Sequence, residues 1–495
     1  MNRPALVSLL AVSLCALPAP AGSANAPPAP PEIEQSFELI DSLAADLLAT
    51  AKLPGLSVAI LEDGEVVFAR GYGFMDLDAR SPVTPETRFR CASVSKTITA
   101  TAIARLLGEG RLDLDAPVAS YVPSWPAEPE ITPRQLSGHL SGVAHYQARD
   151  RIDRSRHYES VTEGLNVFRD SPRTGAPGEA YVYSTHGYTL LSAVIEGASG
   201  LPFLDYLERE IFGPLAMTGS GPDLRATPSP HMSTLYGRRQ GEPVLIPQPE
   251  DPSYKWAGGG LVSTPSDLVR MADAYMNGFI SPEVVSEMFE SQRTADGEET
   301  GVGITWRIGE DRLGRTVIHH SGSMGGARTT LLMVPEERLA VAVMTNTVWT
   351  SNIQRTGELL LEAFRAGDDA GAGDEAAEAP TASAGSTGAL APSTAGEVAY
   401  TGEWLVGQDR TRTTGTIQLS GSAGYISMPA PFTEWTGTMA VERMPIRHLT
   451  GGTYLLTTPY GLVDLHMEVD GGQVRGEASV SSTRTWTFWV VAGGS

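Results

Sequence analysis

The chain has 495 residues, of which 41% are hydrophobic and 19% are charged, and its formal net charge is −22. This length predicts two or three domains, and the composition is typical of a globular protein rather than of a collagen, a coiled coil or a wholly disordered chain. A chain with this negative charge repels nucleic acid and anionic membrane surfaces, and we therefore expect neither as a partner.

Residues 1–26 have the pattern of an export signal. Arg3 supplies a positive start, and the apolar stretch over residues 5–17 is too short to span a bilayer. We therefore expect the mature protein to be periplasmic or secreted, without insertion into a membrane; a lipid anchor at Cys15 is the alternative. Without the signal, Cys91 is the one remaining cysteine, so no internal disulfide is expected.

A helix and a β-hairpin are predicted near each end of the region 35–365. They comprise a helix over 37–51 with strands Leu56–Leu61 and Val66–Ala69, and strands Thr329–Val334 and Leu339–Thr345 with a helix over Gln354–Phe364. Mostly helical and loop material lies between them. This arrangement predicts an α+β domain in which the terminal pieces share one antiparallel sheet.

Ser93 and Lys96 begin a predicted helix that carries Ile98 and Ile103 on its apolar face and ends near Gly108. Three positions apart on a helix, the serine and the lysine share a face, within reach of a hydrogen bond. A serine hydroxyl needs an adjacent base to attack a carbonyl, and a desolvated lysine with a lowered pKa can be that base. The chain has only three lysines, and lysine, unlike arginine, can lose its proton. The alternative is a solvated helix start with a serine cap.

Two further segments could complete such a site. Tyr181–Tyr188 precedes an apolar helical run, and a tyrosine held beside a lysine can relay a proton to a leaving group. Ile318–Gly326 precedes a strand; its small residues would let a substrate backbone lie alongside, and a backbone N–H there could form an oxyanion hole with that of Ser93. The alternatives are an aromatic loop packed on the core and a glycine-rich strand entry.

Residues 366–397 are mostly Ala, Gly, Ser, Thr and Pro, with acidic residues and no basic one. Such a composition buries too little apolar surface to fold and predicts a disordered linker. Residues 398–495 contain short alternating runs separated by glycine-rich turns, which predicts a small all-β domain, either a barrel or a sandwich. Cleavage of the linker is expected to release two separately folded pieces, with hydrolysis in the first.

Three motifs, Ser93-x-x-Lys96, Tyr183-Ser184-Thr185 and His320-Ser321-Gly322, occur in the order of the signature motifs of serine β-lactamases, penicillin-binding proteins and related esterases. Over residues 35–365 the chain resembles this family, and within it most closely the mitochondrial serine β-lactamase-like group and its bacterial relatives. The resemblance implies a β-lactamase/transpeptidase-like antiparallel sheet flanked by helices. The segment 398–495 resembles the lipocalin-like barrels that follow such domains in some bacterial relatives.

Carried over by position, the resemblance implies that Ser93 is the acylated nucleophile, Lys96 its base and Tyr183 the proton relay. It also implies that the backbone N–H groups of Ser93 and Ser323 bind the oxyanion. The other motif residues are expected to contact the substrate: Thr185, His320, Ser321 and Gly322.

The chain departs from the family pattern at two positions. Many members have Asn where this chain has Thr185, and Lys where it has His320, which replaces a fixed cation by a group with a reference pKa of about 6.5. We therefore expect a serine hydrolase that cleaves an amide or ester bond in a small molecule or peptide, with weak or no β-lactamase activity and a preference for neutral substrates over penicillins. Arg328 is the residue that could restore the missing charge.

Two other classes of function remain open on the sequence. A catalytically silent binding or scaffold protein would keep the fold without the reaction. A metal-dependent hydrolase has weaker support, because the nine histidines show no HExxH or similar ligand spacing, and we expect neither metal nor cofactor. The oligomeric state is left open.

Overall fold

A computed structural model describes residues 31–148, 150, 152–349, 352–370, 388–389, 393–406, 411–427, 443–470, 473–481 and 484–491. The predicted export signal and most of the predicted linker lie outside these residues.

The α-helices of the described residues all lie within the first 370 positions: α1 Pro31–Ala51, α2 Ser95–Gly108, α3 Pro133–Ser137, α4 Val161–Leu165, α5 His186–Ser199, α6 Phe203–Leu207, α7 Trp256–Gly259, α8 Pro265–Asp273, α9 Pro282–Met288 and α10 Ile353–Ala370. Three of them begin with a Ser or Thr followed by proline. The hydroxyl of Thr132, Thr264 or Ser281 accepts a backbone N–H of the first turn, and proline then occupies a position that needs no donor.

The strands are β1 Gly55–Glu62, β2 Glu65–Asp76, β3 Ser81–Pro82, β4 Phe89–Arg90, β5 Gly221–Pro222, β6 Tyr236–Arg239, β7 Glu242–Leu245, β8 Leu261–Ser263, β9 Arg307–Glu310, β10 Thr316–Met324, β11 Ala327–Val334, β12 Leu339–Thr345, β13 Gly388–Ala389, β14 Ser393–Val406, β15 Thr411–Gly421, β16 Ala423–Ser427, β17 Met444–Thr450, β18 Thr453–Thr458, β19 Gly461–Asp470, β20 Gln473–Ser481 and β21 Arg484–Val491. Seven of them form one antiparallel sheet in the order β3-β2-β1-β12-β11-β10-β9. β1 pairs with β12, so the prediction that the two ends of the domain share a sheet is confirmed.

This sheet is buried on both faces. Alternate residues of its central strands point to opposite sides, and both sets pack against helices. In β12, Ala342 and Met344 pack with α2, α5 and α8 on the face that carries the helical region. Val341 and Val343 pack with α1 and α10 on the other face. The α+β class and the helix-flanked antiparallel sheet predicted from the sequence are confirmed.

The C-terminal region is all-β, as predicted. Each strand from β14 to β21 pairs antiparallel with the next, and β14 also pairs with β21, so the pairings return to the first strand. The lipocalin-like barrel stays a prediction. Regular structure enters the predicted linker 366–397 from both sides, since α10 extends to Ala370 and β14 begins at Ser393.

The all-β region packs against the outer helices of the first domain. Leu449, Leu455 and Leu462 belong to the same buried apolar cluster as α1 and α10. Arg447 bonds Asp46 of α1 through both carboxylate oxygens, at 2.7 and 3.1 Å. The two regions therefore share a buried interface, which the expectation of two independent pieces did not include.

The helices and the titratable side chains of the described residues bear on membrane insertion and on metal binding. No single helix there is long and apolar enough to cross a membrane; the bent pair His186–Ser199 and Phe203–Phe212 passes by length and composition alone, and most of His186–Ser199 is buried in the core. In the same part of the chain, no group of three His, Cys, Asp or Glu side chains is placed to hold a metal ion.

Candidate active site

Ser93 lies in a tight turn rather than within the predicted helix. A 3₁₀ helix, Ala92–Val94, precedes α2, which begins at Ser95. Ala92 has a φ of 48°, a left-handed conformation that is rare for a residue with a side chain. Such strain is found where a fold holds a functional side chain in a fixed position. The turn therefore presents Ser93 at the start of α2, one turn from Lys96.

Lys96 is fully buried, and its ammonium nitrogen has three polar neighbours. Nζ lies 2.5 Å from the carbonyl oxygen of Gly258, 3.3 Å from Oγ1 of Thr185 and 3.4 Å from Oγ of Ser93. A neutral amine has two N–H donors and one lone pair. The carbonyl and the threonine hydroxyl can accept the two N–H groups, which leaves the lone pair for the hydroxyl proton of Ser93.

The surroundings of Lys96 lower its pKa to about 7. Burial is the main cause, since it disfavours the charged form; Tyr146 opposes the change, and the positive charges of Lys255 and Arg307 add to it. A substantial fraction of Lys96 is therefore neutral at physiological pH. A proton acceptor with a pKa near the working pH is well suited to general base catalysis.

Tyr183 is the second polar neighbour of the nucleophile. Its Oη donates to Ser93 Oγ at 2.8 Å, and burial raises its pKa, so the phenol is protonated at neutral pH. Its ring lies beneath the ammonium of Lys96, at 4.9 Å from Nζ. The structure thus brings Tyr183 to the pair of Ser93 and Lys96, although Tyr183 lies 90 positions after Ser93 in the sequence.

Two histidines hold the second motif in place. Nδ1 of His139 accepts the backbone N–H of Ser184 at 3.1 Å, and Nδ1 of His145 accepts that of Thr185 at 3.1 Å. Burial, with Lys96 as the next cause, lowers the pKa of His139 well below its usual value and that of His145 to about 4. Both rings are therefore neutral acceptors at Nδ1. Neither histidine was predicted as a site residue, because both lie outside the three motifs.

The third motif is itself a strand, β10, and part of its outer edge is free. β9 pairs only with residues Thr316–His319 of β10, so the edge from His320 to Met324 has no partner strand among the described residues. Gly322 lies against the nucleophile turn: a Cβ on it would be 2.5 Å from the carbonyl oxygen of Cys91 and 2.8 Å from the nitrogen of Ser93. A substrate backbone could lie along this edge, directly beside Ser93.

His320 provides no permanent cation. It is buried, and Nδ1 donates to the carbonyl oxygen of Ser321 at 2.8 Å. Burial, then the charges of Lys96 and Arg307, hold its pKa well below the usual range. The ring is neutral at physiological pH. Thr185, expected to contact substrate, is directed at Lys96 instead, although it also lines the cleft.

A cleft of about 890 Å³ is lined by Ser93, His145, Tyr183, Thr185 and His320, and most of its charged lining residues are basic. Glu250 is paired with Lys255 at 2.6 Å and with Arg154 at 2.7 Å. Arg307 and Arg328 also line the cleft. Arg307 donates to Oη of Tyr181 at 3.2 Å, and Arg328 donates to the carbonyl oxygen of Trp349 at 2.9 Å. Neither Lys255 nor Arg307 was predicted as a site residue, although the scarcity of lysine in the chain drew attention to Lys255.

A model of the β-lactamase family matches residues 40–363. The chain belongs to the β-lactamase family, and the resemblance drawn from its three motifs is confirmed.

The chain is similar to characterised relatives over its first domain. It is 28% identical over 419 residues to the mitochondrial serine β-lactamase-like protein LACTB of Bos taurus, covering 64% of this chain and 75% of that protein. It is 28% identical over 357 residues to esterase EstB of Burkholderia gladioli, covering 63% of this chain and 90% of the esterase. The chain is accordingly a β-lactamase-related serine hydrolase.

A solved structure extends the similarity to the all-β region. The octameric penicillin-binding protein homologue from Pyrococcus abyssi matches with a TM-score of 0.56 and 23% identity, over 91% of this chain and 99% of that protein. At this identity the match shows the fold alone. It supports a penicillin-binding-protein-like fold followed by an all-β region.

Proposed function

We propose that the protein is an exported hydrolase that cleaves an amide or ester bond in a small molecule or peptide through an acyl-enzyme on Ser93. One observation carries the proposal: Ser93 Oγ is within reach of both a lysine whose pKa is lowered to about 7 and a protonated tyrosine. The first can accept the hydroxyl proton, and the second can pass a proton to a leaving group.

The acylation step follows from these positions. Ser93 Oγ attacks the carbonyl carbon while its proton passes to the lone pair of Lys96, and the carbonyl π electrons move to the oxygen. The backbone N–H groups of Ser93 and Ser323 stabilise that oxyanion. When it collapses, the bond to the leaving group breaks, and a proton that returns from Lys96 through Tyr183 completes the departing alcohol or amine. Water then attacks the ester on Ser93 by the reverse sequence.

The names of the relatives support amide or ester substrates. They include an esterase, a penicillin-binding protein of Bacillus subtilis and, among solved structures, a D-stereospecific amidohydrolase from Streptomyces. Because His320 is neutral, the cation that many family members place at the third motif is missing, which supports weak or no β-lactamase activity. A silent scaffold protein would have no need for a lysine with a lowered pKa buried beside a serine.

A substrate panel tests the proposal. Purified protein is assayed against a p-nitrophenyl ester, a D-amino-acid amide, an unmodified peptide and a chromogenic cephalosporin, and then labelled with a fluorophosphonate. We expect turnover of at least one ester or amide, slow cephalosporin hydrolysis and a mass increase on the peptide that contains Ser93. Ser93→Ala should lose both turnover and label while keeping its melting temperature. A label on Ser95, or none, would contradict the assignment.

Export has its own test. The pattern of residues 1–26 supports a cleaved signal. Expression of the full chain in a bacterial host should give a periplasmic protein whose N-terminus lies between residues 22 and 27. Retention of Met1 on a cytoplasmic product would contradict export.

A further inference from the structure

Arg90 is a buried arginine that stands three residues before the nucleophile. It ends β4, and only 2% of its surface is exposed. Its Nε lies 2.6 Å from Oδ2 of Asp223. Nη2 donates to the carbonyl oxygen of Glu250 at 2.9 Å, and Nη1 donates to that of Gly325 at 3.3 Å. One guanidinium therefore binds three segments of the chain at once, which its planar fork of donors permits.

The β10–β11 hairpin is attached to this arginine at two points. Gly325, which accepts from the side chain, lies in the turn of the hairpin. In β11, Oγ1 of Thr329 donates to the carbonyl oxygen of Arg90 at 2.9 Å. Thr329 is paired with Gly322 of β10, and Gly322 packs against the nucleophile turn. Ser323 follows Gly322 directly, so these contacts hold Ser323 in a fixed position relative to residues 90–93.

The two proposed oxyanion donors come from the two segments that Arg90 joins. The backbone N–H of Ser93 belongs to the turn after β4, and that of Ser323 belongs to β10. An oxyanion hole works only when both donors lie about 2.7–3.1 Å from the position that the oxygen takes in the transition state. The distance between the two segments therefore decides whether the second donor stabilises the oxyanion.

We infer that Arg90 is a positioning residue for the oxyanion hole: it holds the β10–β11 hairpin against β4, so that Ser93 and Ser323 donate to the same oxygen. This inference rests on the proposed function. It concerns the oxyanion and not the base, whose pKa is lowered by burial and by the charges of Lys255 and Arg307. A change at Arg90 should therefore reduce kcat/KM without moving its rise near pH 7.

Two esters that differ in one atom test the inference: p-nitrophenyl butyrate and its thiono analogue, in which sulfur replaces the carbonyl oxygen. Sulfur is the weaker hydrogen-bond acceptor, so the ratio of the two kcat/KM values reports on the oxyanion hole. Arg90→Lys keeps a positive charge beside Asp223 but loses the fork of donors. We expect kcat/KM to fall about tenfold or more for the oxygen ester and less than about threefold for the thiono ester.

Arg88→Lys is the matched control. Arg88 lies two residues before Arg90, donates to the carbonyl oxygen of Thr218 at 2.9 Å, and should keep the wild-type ratio when replaced. Thr329→Val is a second variant, which removes the hydroxyl that donates to the carbonyl oxygen of Arg90. It should lower the ratio about threefold, and it decides the test if Arg90→Lys does not fold.

Three results would contradict these expectations. An unchanged ratio in folded Arg90→Lys, or in Thr329→Val where Arg90→Lys does not fold, would overturn the inference, as would an equal loss in Arg88→Lys. A shift of the rise near pH 7 in Arg90→Lys would show that Arg90 acts on Lys96 instead. If the wild type hydrolyses neither ester and Ser93 takes no label, the proposed function itself fails.

Discussion

To act as a base and then as an acid, Lys96 must gain and lose a proton readily near neutral pH, and its surroundings allow this. Its nitrogen is held by the carbonyl oxygen of Gly258, and a Cβ on Gly258 would lie 2.6 Å from Cγ2 of Thr185, so this close approach requires glycine. Burial then lowers the pKa to about 7. The same contacts that fix the nitrogen beside Ser93 thus make it a base.

Replacement of Lys96 by arginine should be nearly as damaging as replacement by alanine. A guanidinium keeps the positive charge but does not accept a proton at neutral pH. We expect kcat to fall below about a tenth of the wild-type value, which corresponds to about 1.4 kcal/mol of barrier. Lys52→Arg, at an exposed lysine paired with Glu242, should have no effect. If Lys96→Arg kept more than about a tenth of the wild-type kcat, Lys96 would not be the base.

The pH dependence of kcat/KM reports on Lys255. Because Lys96 works as a base when neutral, kcat/KM should rise with pH through about 7. The positive charge of Lys255 lowers the pKa of Lys96, so Lys255→Gln should raise that pKa and move the rise to higher pH. An increase of one pH unit would reduce the neutral fraction at pH 7 about fivefold. Lys255→Arg keeps the charge and should keep the profile; identical profiles for the Gln and Arg variants would contradict this account.

Site residues that are close together in the sequence could be predicted from it, whereas those that come from distant segments could not. Ser93 and Lys96 are three positions apart, so helical geometry alone brings them together. Lys255, directly before α7, and Arg307, in β9, reach the same cleft through packing of elements that no local pattern specifies. His145 accepts one backbone N–H, that of Thr185, and such a contact leaves no motif in the sequence by which it could be recognised.

Among the elements, β10 lies in close contact with the nucleophile turn. A side chain on Gly322 would overlap the carbonyl oxygen of Cys91, so β10 or the nucleophile turn would have to move. Gly322→Ala should therefore lower kcat about tenfold or more, because small displacements of reacting groups are costly. Gly309→Ala, on neighbouring β9, meets no atom within 4 Å and should retain full activity. If the two variants were equally active on the same ester, β10 would not need to lie so close to the nucleophile turn.

The hairpins and the terminal helices were predictable because their patterns are local: alternation for strands, and a 3.6-residue period for helices. The segment from Ile318 was expected only to precede a strand, because its glycines and polar residues hide the alternation. Its identity as β10 depends on pairing with β11 and β9, which lie elsewhere in the chain. The interface of the all-β region with α1 and α10 was missed for the same reason.

At the scale of the whole molecule, that interface decides what happens when the chain is cut. A protease site inserted after residue 380 would separate the two regions covalently. Leu449, Leu455 and Leu462 would be exposed if they came apart, at a cost of about 1.5–3 kcal/mol each. We therefore expect the cleaved pieces to co-elute on size exclusion, contrary to the expectation of independent release.

Because apolar burial dominates the interface, 1 M NaCl should not separate the pieces. Salt at this concentration reduces the Debye length to about 3 Å and screens ion pairs such as Arg447 with Asp46. Leu462→Asp should weaken the complex, because it places a charge in the apolar cluster. Separate elution of two folded, stable pieces at both salt concentrations would show that the regions are independent after all.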